Sequence, residues 1–588
     1  MMRFFTLLLF LFTVQLAGAQ VFTEVTTQQG ITHSYPGNAG GGVSFCDFTG
    51  DGLDDLTLAT GDGETIQFYK NNNGSFELLA PLVPHQEEAK HVLWVDYDND
   101  GDKDLYVATH IGVNRLYRNT GNLTFEDVTE QAGLPIEEHR TFGACWGDFD
   151  RDGWLDLFFT ERKWPASQFI NENRLFRNNA DGTFTELTAQ CGAADYGKKP
   201  FCASFLDYNN DKWPDIYIAN DKLTINALLR NNGDGTFTDV SEETNADLEM
   251  NAMGIAIGDY DNDGWQDMYI SDIDDGNELL HNLGPDSSGT VVYEETAADA
   301  GVGYYGIAWG VNFFDADNDA DLDLYVCGML SGAGAISNVY YANNGDGTFS
   351  QPFAGFEGDT TSSFNQAIGD FNNDGFPDIM VVNVEPFASQ LWQNSGTANN
   401  WVKFDLQGVL SNRDGVGTKI EVYTNGQYQQ RYTHCGIAFM GQNSGTELVG
   451  LGSATQADSV IVTWPTGHVD KLFNLAAGER ILLVEGMTTG GDIAVDPDVT
   501  ITVVPARETL VEYDLSLFPN PAGQFLNLQY DGQLPFTRFA ISNLQGQLLS
   551  HGALQGNAIS VGHLPEGAYI LILWNQLGEK LALKWVKE

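Results

Sequence analysis

Seven times along the chain, an apolar run of strand length breaks into an aspartate-rich loop of the form D-x-[DNT]-x-D-x-x-x-D and then resumes with apolar residues at alternate positions. The loops begin at Asp47, Asp96, Asp148, Asp207, Asp259, Asp315 and Asp370. Two residues ahead of each first aspartate stands a large apolar side chain: Phe45, Trp94, Trp146, Phe205, Ile257, Phe313 and Ile368. The first and third residues after every loop are apolar as well, as in Leu105/Val107 and Ile216/Ile218. Period-two alternation on both sides of a polar loop predicts two strands joined as a hairpin. A third strand and a tight turn follow, as at Asn178-Asn179-Ala180-Asp181-Gly182, where Asn and Gly supply the positive φ of a short turn. A fourth strand starts at the next aromatic residue, Phe184 in this copy. Each unit is therefore predicted to be a four-stranded antiparallel blade, repeated at a fixed period.

The ends of the repeat favour a closed ring. Val21-Phe22-Thr23-Glu24-Val25-Thr26 matches the fourth-strand segments at 183–188 and 236–241, yet it precedes any blade. The seventh unit runs out near Gln393-Asn394-Ser395-Gly396 without such a segment. An N-terminal strand that completes blade seven would hide both sheet edges. The expected fold class is all-β: a seven-bladed β-propeller over 20–398, a small β domain over 399–486, a linker over 487–513 and a C-terminal Ig-like β-sandwich over 514–588.

The loops present oxygen ligands at positions one, three, five and nine, a spacing that suits a hard cation such as Ca²⁺, with position seven free to offer a backbone carbonyl. The sets are Asp47, Thr49, Asp51 and Asp55; Asp96, Asp98, Asp100 and Asp104; Asp148, Asp150, Asp152 and Asp156; Asp207, Asn209, Asp211 and Asp215. The last three are Asp259, Asp261, Asp263 and Asp267; Asp315, Asp317, Asp319 and Asp323; Asp370, Asn372, Asp374 and Asp378. Up to seven Ca²⁺ ions are expected. Loops two, three and five are the fullest. Loop one is weaker because of Thr49, and loops four and six lack the usual position-six glycine, placing Lys212 and Ala320 where a left-handed turn is costly. Solvated acidic turns or paired catalytic carboxylates are the rival readings. Seven copies in phase favour metal.

Composition narrows the function. The chain has 588 residues, of which 42% are hydrophobic, enough for several packed domains. Its formal net charge of −53 would repel phosphate backbones, which excludes nucleic acid. Met1-Met2-Arg3, the apolar run Phe4 to Leu16 and Ala17-Gly18-Ala19 read as a signal peptide cleaved before Gln20. No later run is long and apolar enough to span a membrane. The six cysteines contain no CxxC pair. Cys191 and Cys202 flank a Lys-Lys-Pro loop and could close a short disulfide, whereas Cys46 and Cys145 read as buried thiols. His434 and Cys435 are adjacent and point to opposite faces of a strand, so they cannot share a metal. No H-E-x-x-H, G-x-S-x-G or Walker loop is present.

The repeats resemble the FG-GAP or VCBS repeats of integrin α-type propellers, over roughly residues 21 to 398. That resemblance implies Ca²⁺ on one face of the ring and partner binding on the other face and its rim. Beyond it, Gly415-Val416-Gly417, Gln442-Asn443-Ser444, Gly450-Leu451-Gly452 and Trp464-Pro465-Thr466-Gly467 punctuate a small β domain. Their order resembles the ASPIC/UnbV domain, which brings no established chemistry. Leu517-Phe518-Pro519-Asn520-Pro521 and Leu564-Pro565-Glu566-Gly567-Ala568-Tyr569 resemble the C-terminal sorting domain of the Por, or type IX, secretion system. This implies export to the medium or the outer surface through that machinery. The expected function is a secreted or surface-attached, calcium-binding recognition module for an extracellular protein or glycan, without catalysis. The alternatives are an extracellular glycan-processing enzyme using a channel in the ring, or a passenger in surface assembly.

Overall fold

The computed structural model describes residues 21–162, 172–273, 276–329, 337–356 and 358–486, with shorter stretches between 515 and 587. The expected signal segment and linker lie outside the described residues. The hydrophobic alternation becomes seven four-stranded antiparallel units. In the first, Val43–Cys46, Asp55–Leu58, Gln67–Asn71 and Phe76–Leu78 pair in sequence order. The innermost strands, Val43–Cys46, Ala89–Val95, Thr141–Gly147, Pro200–Leu206, Ile255–Gly258, Ile307–Phe314 and Ser363–Gly369, touch one another in cyclic order. The ring closes as the sequence predicts. Phe22–Glu24 becomes the outer strand of the seventh unit, in the order Phe22–Glu24, Gln390–Asn394, Asp378–Asn383, Ser363–Gly369, with Phe22 opposite Asn394.

The core lies between adjacent blades. Phe48 of blade one stacks on Trp94 of blade two at 4.6 Å between ring centroids, and both are buried. Each such side chain contributes about 1.5–3 kcal/mol by leaving water. The large apolar residues two ahead of each loop, from Phe45 to Ile368, are all buried.

The second domain is built from two sheets. Asn400–Gln407 runs between Glu447–Gly452 and Arg480–Val484, and Lys419–Thr424 lies between Gln427–Tyr432 and Gln456–Thr463, with Val469–Ala476 at the edge. Phe404, Val422, Val460 and Trp464 form its core. This domain also fills the shaft of the ring, which the sequence reading did not foresee. Gly441 and Gln442 pair in parallel with Val43 and Ser44 of blade one. The Gln442 side chain donates to Trp94 O at 2.7 Å and accepts from Trp94 N at 2.8 Å. Cys435 bridges to Trp146 and Ala438 to Ile255. Asn443 exchanges hydrogen bonds with Asn312 and accepts from Ile368 N. At the far end Phe439 and Met440 pack against Phe142, Phe201 and Met253. One segment thus contacts the inner strands of all seven blades, and the channel invoked by the enzymatic alternative is occupied by protein.

In the C-terminal part, Leu515–Phe518, Phe525–Tyr530 and Ala558–Ser560 form one sheet. Leu548–Ala553, Phe536–Asn543, Gly567–Asn575 and Lys580–Lys587 form a second, with Leu526, Ile541, Ile559 and Leu571 buried between them.

The expected Cys191–Cys202 bridge does not form. All six cysteines are free and buried, including Cys46 and Cys145. Cys191 ends a short helix and its Sγ donates to Leu187 O at 2.9 Å. The strand Pro200–Leu206 turns Cys202 the other way, toward Met253 O at 3.0 Å and the segment filling the shaft. The two thiols belong to different hydrophobic clusters.

Candidate metal centres

In six of the seven acidic loops the carboxylate of the first aspartate accepts from the backbone at positions five and six, whereas in loop two Asp96 accepts from position six alone, Gly101 N at 2.9 Å. In loop three, Asp152 N and Gly153 N donate to Asp148 at 2.9 and 3.0 Å. Loop five repeats this with Asp263 N and Gly264 N on Asp259, both at 3.0 Å. Position six must be left-handed for both donors to converge. Gly153 and Gly264 have φ of 92° and 95°, and Lys212 and Ala320 adopt 74° and 86° despite their Cβ. The missing glycines therefore do not alter the loop.

Carboxylate oxygens of positions one, three and nine converge within 4.8 Å in loops two, three, five and six: Asp96, Asp98 and Asp104; Asp148, Asp150 and Asp156; Asp259, Asp261 and Asp267; Asp315, Asp317 and Asp323. Loop six, expected to be weaker, joins the fullest sets. Position five does not join these groups. Its carboxylate instead caps the backbone two residues on, as in Asp100 to Asp102 N at 2.9 Å and Asp319 to Asp321 N at 3.1 Å. In loop five Asp263 also lies near Asp261 and His281. In loops four and seven the position-three residue donates to position five, Asn209 to Asp211 and Asn372 to Asp374, both at 2.8 Å. Asp47, Asp51 and Asp55 of loop one hold the same places, with Asp51 paired to Lys70 at 2.9 Å.

The electrostatics of the convergent sets fit a cation. Burial first, then neighbouring carboxylates, hold Asp104 and Asp156 well above the usual carboxylate range. Asp96 Oδ1 and Asp104 Oδ2 are buried and accept no hydrogen bond. A divalent ion ligated there would supply the missing partner and reverse the like-charge repulsion. The all-oxygen donor set is that of Ca²⁺ or Mg²⁺, not of a thiophilic metal.

Position nine has a second role, and with it comes a residue class that sequence reasoning passed over. Its Oδ1 accepts from the backbone of an asparagine closing the third strand: Asp215 from Asn231 N at 2.7 Å, Asp267 from Asn282 N at 2.8 Å. That asparagine then donates from Nδ2 to the second residue of the preceding blade's acidic loop. Asn71 reaches Phe371 O, Asn178 Tyr97 O, Asn231 Phe149 O, Asn282 Tyr208 O, Asn343 Tyr260 O and Asn394 Ala316 O, at 2.7–2.9 Å. Asn119 of blade two instead bonds Lys103 O at 3.2 Å. The signal was present in the sequence as one asparagine per repeat, ahead of each 3–4 turn.

The second domain covers the loop face. Lys403 Nζ lies 2.5 Å from Asp370 Oδ2, Arg413 Nε 3.7 Å from Asp96 Oδ2 and Arg431 Nη2 3.7 Å from Asp315 Oδ2. Asp414 accepts from Asp96 N at 2.8 Å and pairs with Lys103 at 2.6 Å.

Comparison with known proteins finds all three resemblances. Residues 47–107, 96–159, 166–218 and 207–270 match the FG-GAP-like repeat, 408–490 match ASPIC and UnbV, and 516–588 match the secretion system C-terminal sorting domain. The chain is 27% identical over 461 residues to Cartilage acidic protein 1 of Homo sapiens, covering 76% of this chain and 62% of that protein. It is 24% identical over 445 residues to the Mus musculus protein of the same name, covering 73% and 62%. It thus spans about three fifths of the length of these curated relatives. Among solved structures, one of BBS1N in complex with ARL6DN, soaked with lead, aligns with a TM-score of 0.40 at 13% identity, covering 63% of this chain and 97% of that one. The chain carries FG-GAP-like repeats, an ASPIC/UnbV domain and a sorting domain of type IX secretion, and is exported to the cell surface or the extracellular space. Among the described residues no helix is long and apolar enough to cross a membrane.

Proposed function

We propose that the exported chain is a calcium-stabilised recognition module that binds an extracellular protein or glycan and leaves it chemically unchanged. The observation that carries this reading is the division of labour between the two faces of the ring. One face holds the acidic loops and is covered by the second domain. The opposite face, made by the connections between strands two and three and between successive blades, bears exposed apolar side chains. Ile111, Ile136, Tyr196 and Tyr305 are 63%, 55%, 57% and 67% exposed there. Exposed aromatic and aliphatic groups on rigidly mounted loops are the usual anchors of recognition surfaces.

Ions in loops two, three, five and six would rest on the convergent carboxylates, with Asp96, Asp98 and Asp104 as the best set. Ligated carboxylates are poor general acids or bases near neutral pH. The test is retention of surface proteins and glycans by the immobilised full chain with calcium present. Tyr305→Ala and Ile111→Ser should lower retention at unchanged melting temperature, and recovered partner should be intact. Retention insensitive to both changes, or release of a cleaved product, would overturn the proposal.

A further inference from the structure

Between the ring and its covering domain lies a cavity of about 150 Å³. Its apolar wall comes from the ring, where Ile257, Phe313, Leu322 and Ile368 line it. The second domain supplies its polar side. Arg431 extends into this space with its side chain only 9% exposed. Its Nη1 donates to Gln430 O at 2.9 Å, but Nη2 makes no hydrogen bond, and its nearest carboxylate, Asp315, is 3.7 Å away. Gln430, 5% exposed, leaves its Nε2 without a partner as well. Both residues line the cavity, and a buried donor is costly unless something accepts from it, at about 1–3 kcal/mol.

The charges around the cavity restrict what that acceptor can be. Lys403, Arg431 and Arg480 share it with five carboxyl groups. Lys403 is held by Asp370 and Arg480 by Asp405, at 2.5 and 2.7 Å. The negative excess disfavours an anion, while the Arg431 guanidinium, ion-paired with Asp315 at 3.7 Å but with no hydrogen-bond acceptor at Nη2, disfavours a cation. A neutral ligand with several acceptor oxygens satisfies both. A cavity of this volume accepts one six-membered ring, and because it is partly open to solvent the ring's substituents can extend beyond it. Hydroxyls would accept from Arg431 and donate to Glu447, which also lines the cavity, while the ring's C–H face would rest on Phe313 and Ile257.

We propose that this interdomain cavity binds a single neutral pyranose, free or as the end residue of a glycan. The site is distinct from the opposite face, so the two assignments fail separately. The full chain in calcium buffer is titrated with glucose, galactose and mannose, and with glucuronate and glucosamine as charged counterparts, by saturation-transfer NMR and calorimetry. At least one neutral sugar should bind saturably, more tightly than either charged one. Arg431→Gln should weaken it tenfold or more, Glu447→Gln about threefold, and Tyr305→Ala not at all. Leu448→Trp, placing bulk in the cavity from a half-buried position, should abolish binding and keeps the proposal testable if Arg431→Gln does not fold. Absence of saturable binding by every neutral sugar, tighter binding of glucuronate or glucosamine, or unchanged affinity in folded Arg431→Gln or Leu448→Trp overturns it.

Discussion

The asparagine that ties each blade to the preceding loop allows a quantitative comparison between two copies of one motif. Asn231, 2% exposed, donates to Phe149 O at 2.8 Å and Pro214 O at 3.1 Å, and its Oδ1 accepts from Gly233 N at 3.0 Å. Asn231→Ala removes three hydrogen bonds and leaves a buried carbonyl of the neighbouring blade unpaired, a loss of about 2–4 kcal/mol. Asn119→Ala removes only the bonds to Lys103 O at 3.2 Å and from Gly121 N at 3.0 Å, both within its own blade, a loss of about 1–2 kcal/mol. Scanning calorimetry of the calcium-saturated chain should therefore show the lower melting temperature for Asn231→Ala, with urea titration giving the same order at unchanged slope. Equal losses would mean that the bond between blades contributes nothing beyond the local turn.

Excess EDTA should lower the melting temperature and calcium should restore it, since an ion at a hundred times its Kd adds about 2.7 kcal/mol per site. Asp104→Asn in loop two should shrink that calcium-dependent rise more than Asn209→Ala in loop four, and equal effects would contradict the ranking of the loops. Burial lowers His91 to about 4 while its Nε2 donates to Gly441 O and its Nδ1 accepts from Ala144 N. Its folded pKa is thus depressed, so the unfolded chain binds its proton first, and stability present at neutral pH is lost as pH falls below about 6.5 and on through 4. Denaturant midpoints measured across that range should fall, and His91→Gln should flatten the fall. No thiol should react with an alkylating reagent in the native chain and all six should react after unfolding; a mass increase short of six in denaturant without reductant would reveal a disulfide.

Repetition made the fold readable. A seven-fold pattern averages out the ambiguity of any one strand, and the stray Phe22 segment declared its partner because it matched Phe184 and Phe237 in an otherwise complete series. The loops were legible to the level of ligand spacing, but not to the level of conformation. Which carboxylates converge depends on where position five finds a donor, and in Asp100 and Asp319 that donor is the backbone two residues on. The segment from His434 to Ser444 was opaque for a different reason. Its apolar stretch Ile437-Ala438-Phe439-Met440 reads as an ordinary core run, and nothing in its sequence tells that the core belongs to another domain. The Cys191–Cys202 pairing failed because proximity along the chain carries no information about side-chain direction.

The strand that closes the ring has a consequence for how the molecule is made. Val21 N donates to Ser395 Oγ, an acceptor 374 residues later in the chain. Bringing two points so distant together costs about 5 kcal/mol of chain entropy before any contact repays it. Blades one to six can assemble in order as they emerge, since each is complete from local sequence. Blade seven cannot, and until Gln390–Asn394 has been made the leading segment has no edge to join. Until that edge exists the chain is an open arc with two unpaired strand edges, the configuration most prone to pair with another chain. Substitutions at Phe22 should for this reason reduce the yield of exported protein more than they lower the melting temperature of the molecules that close.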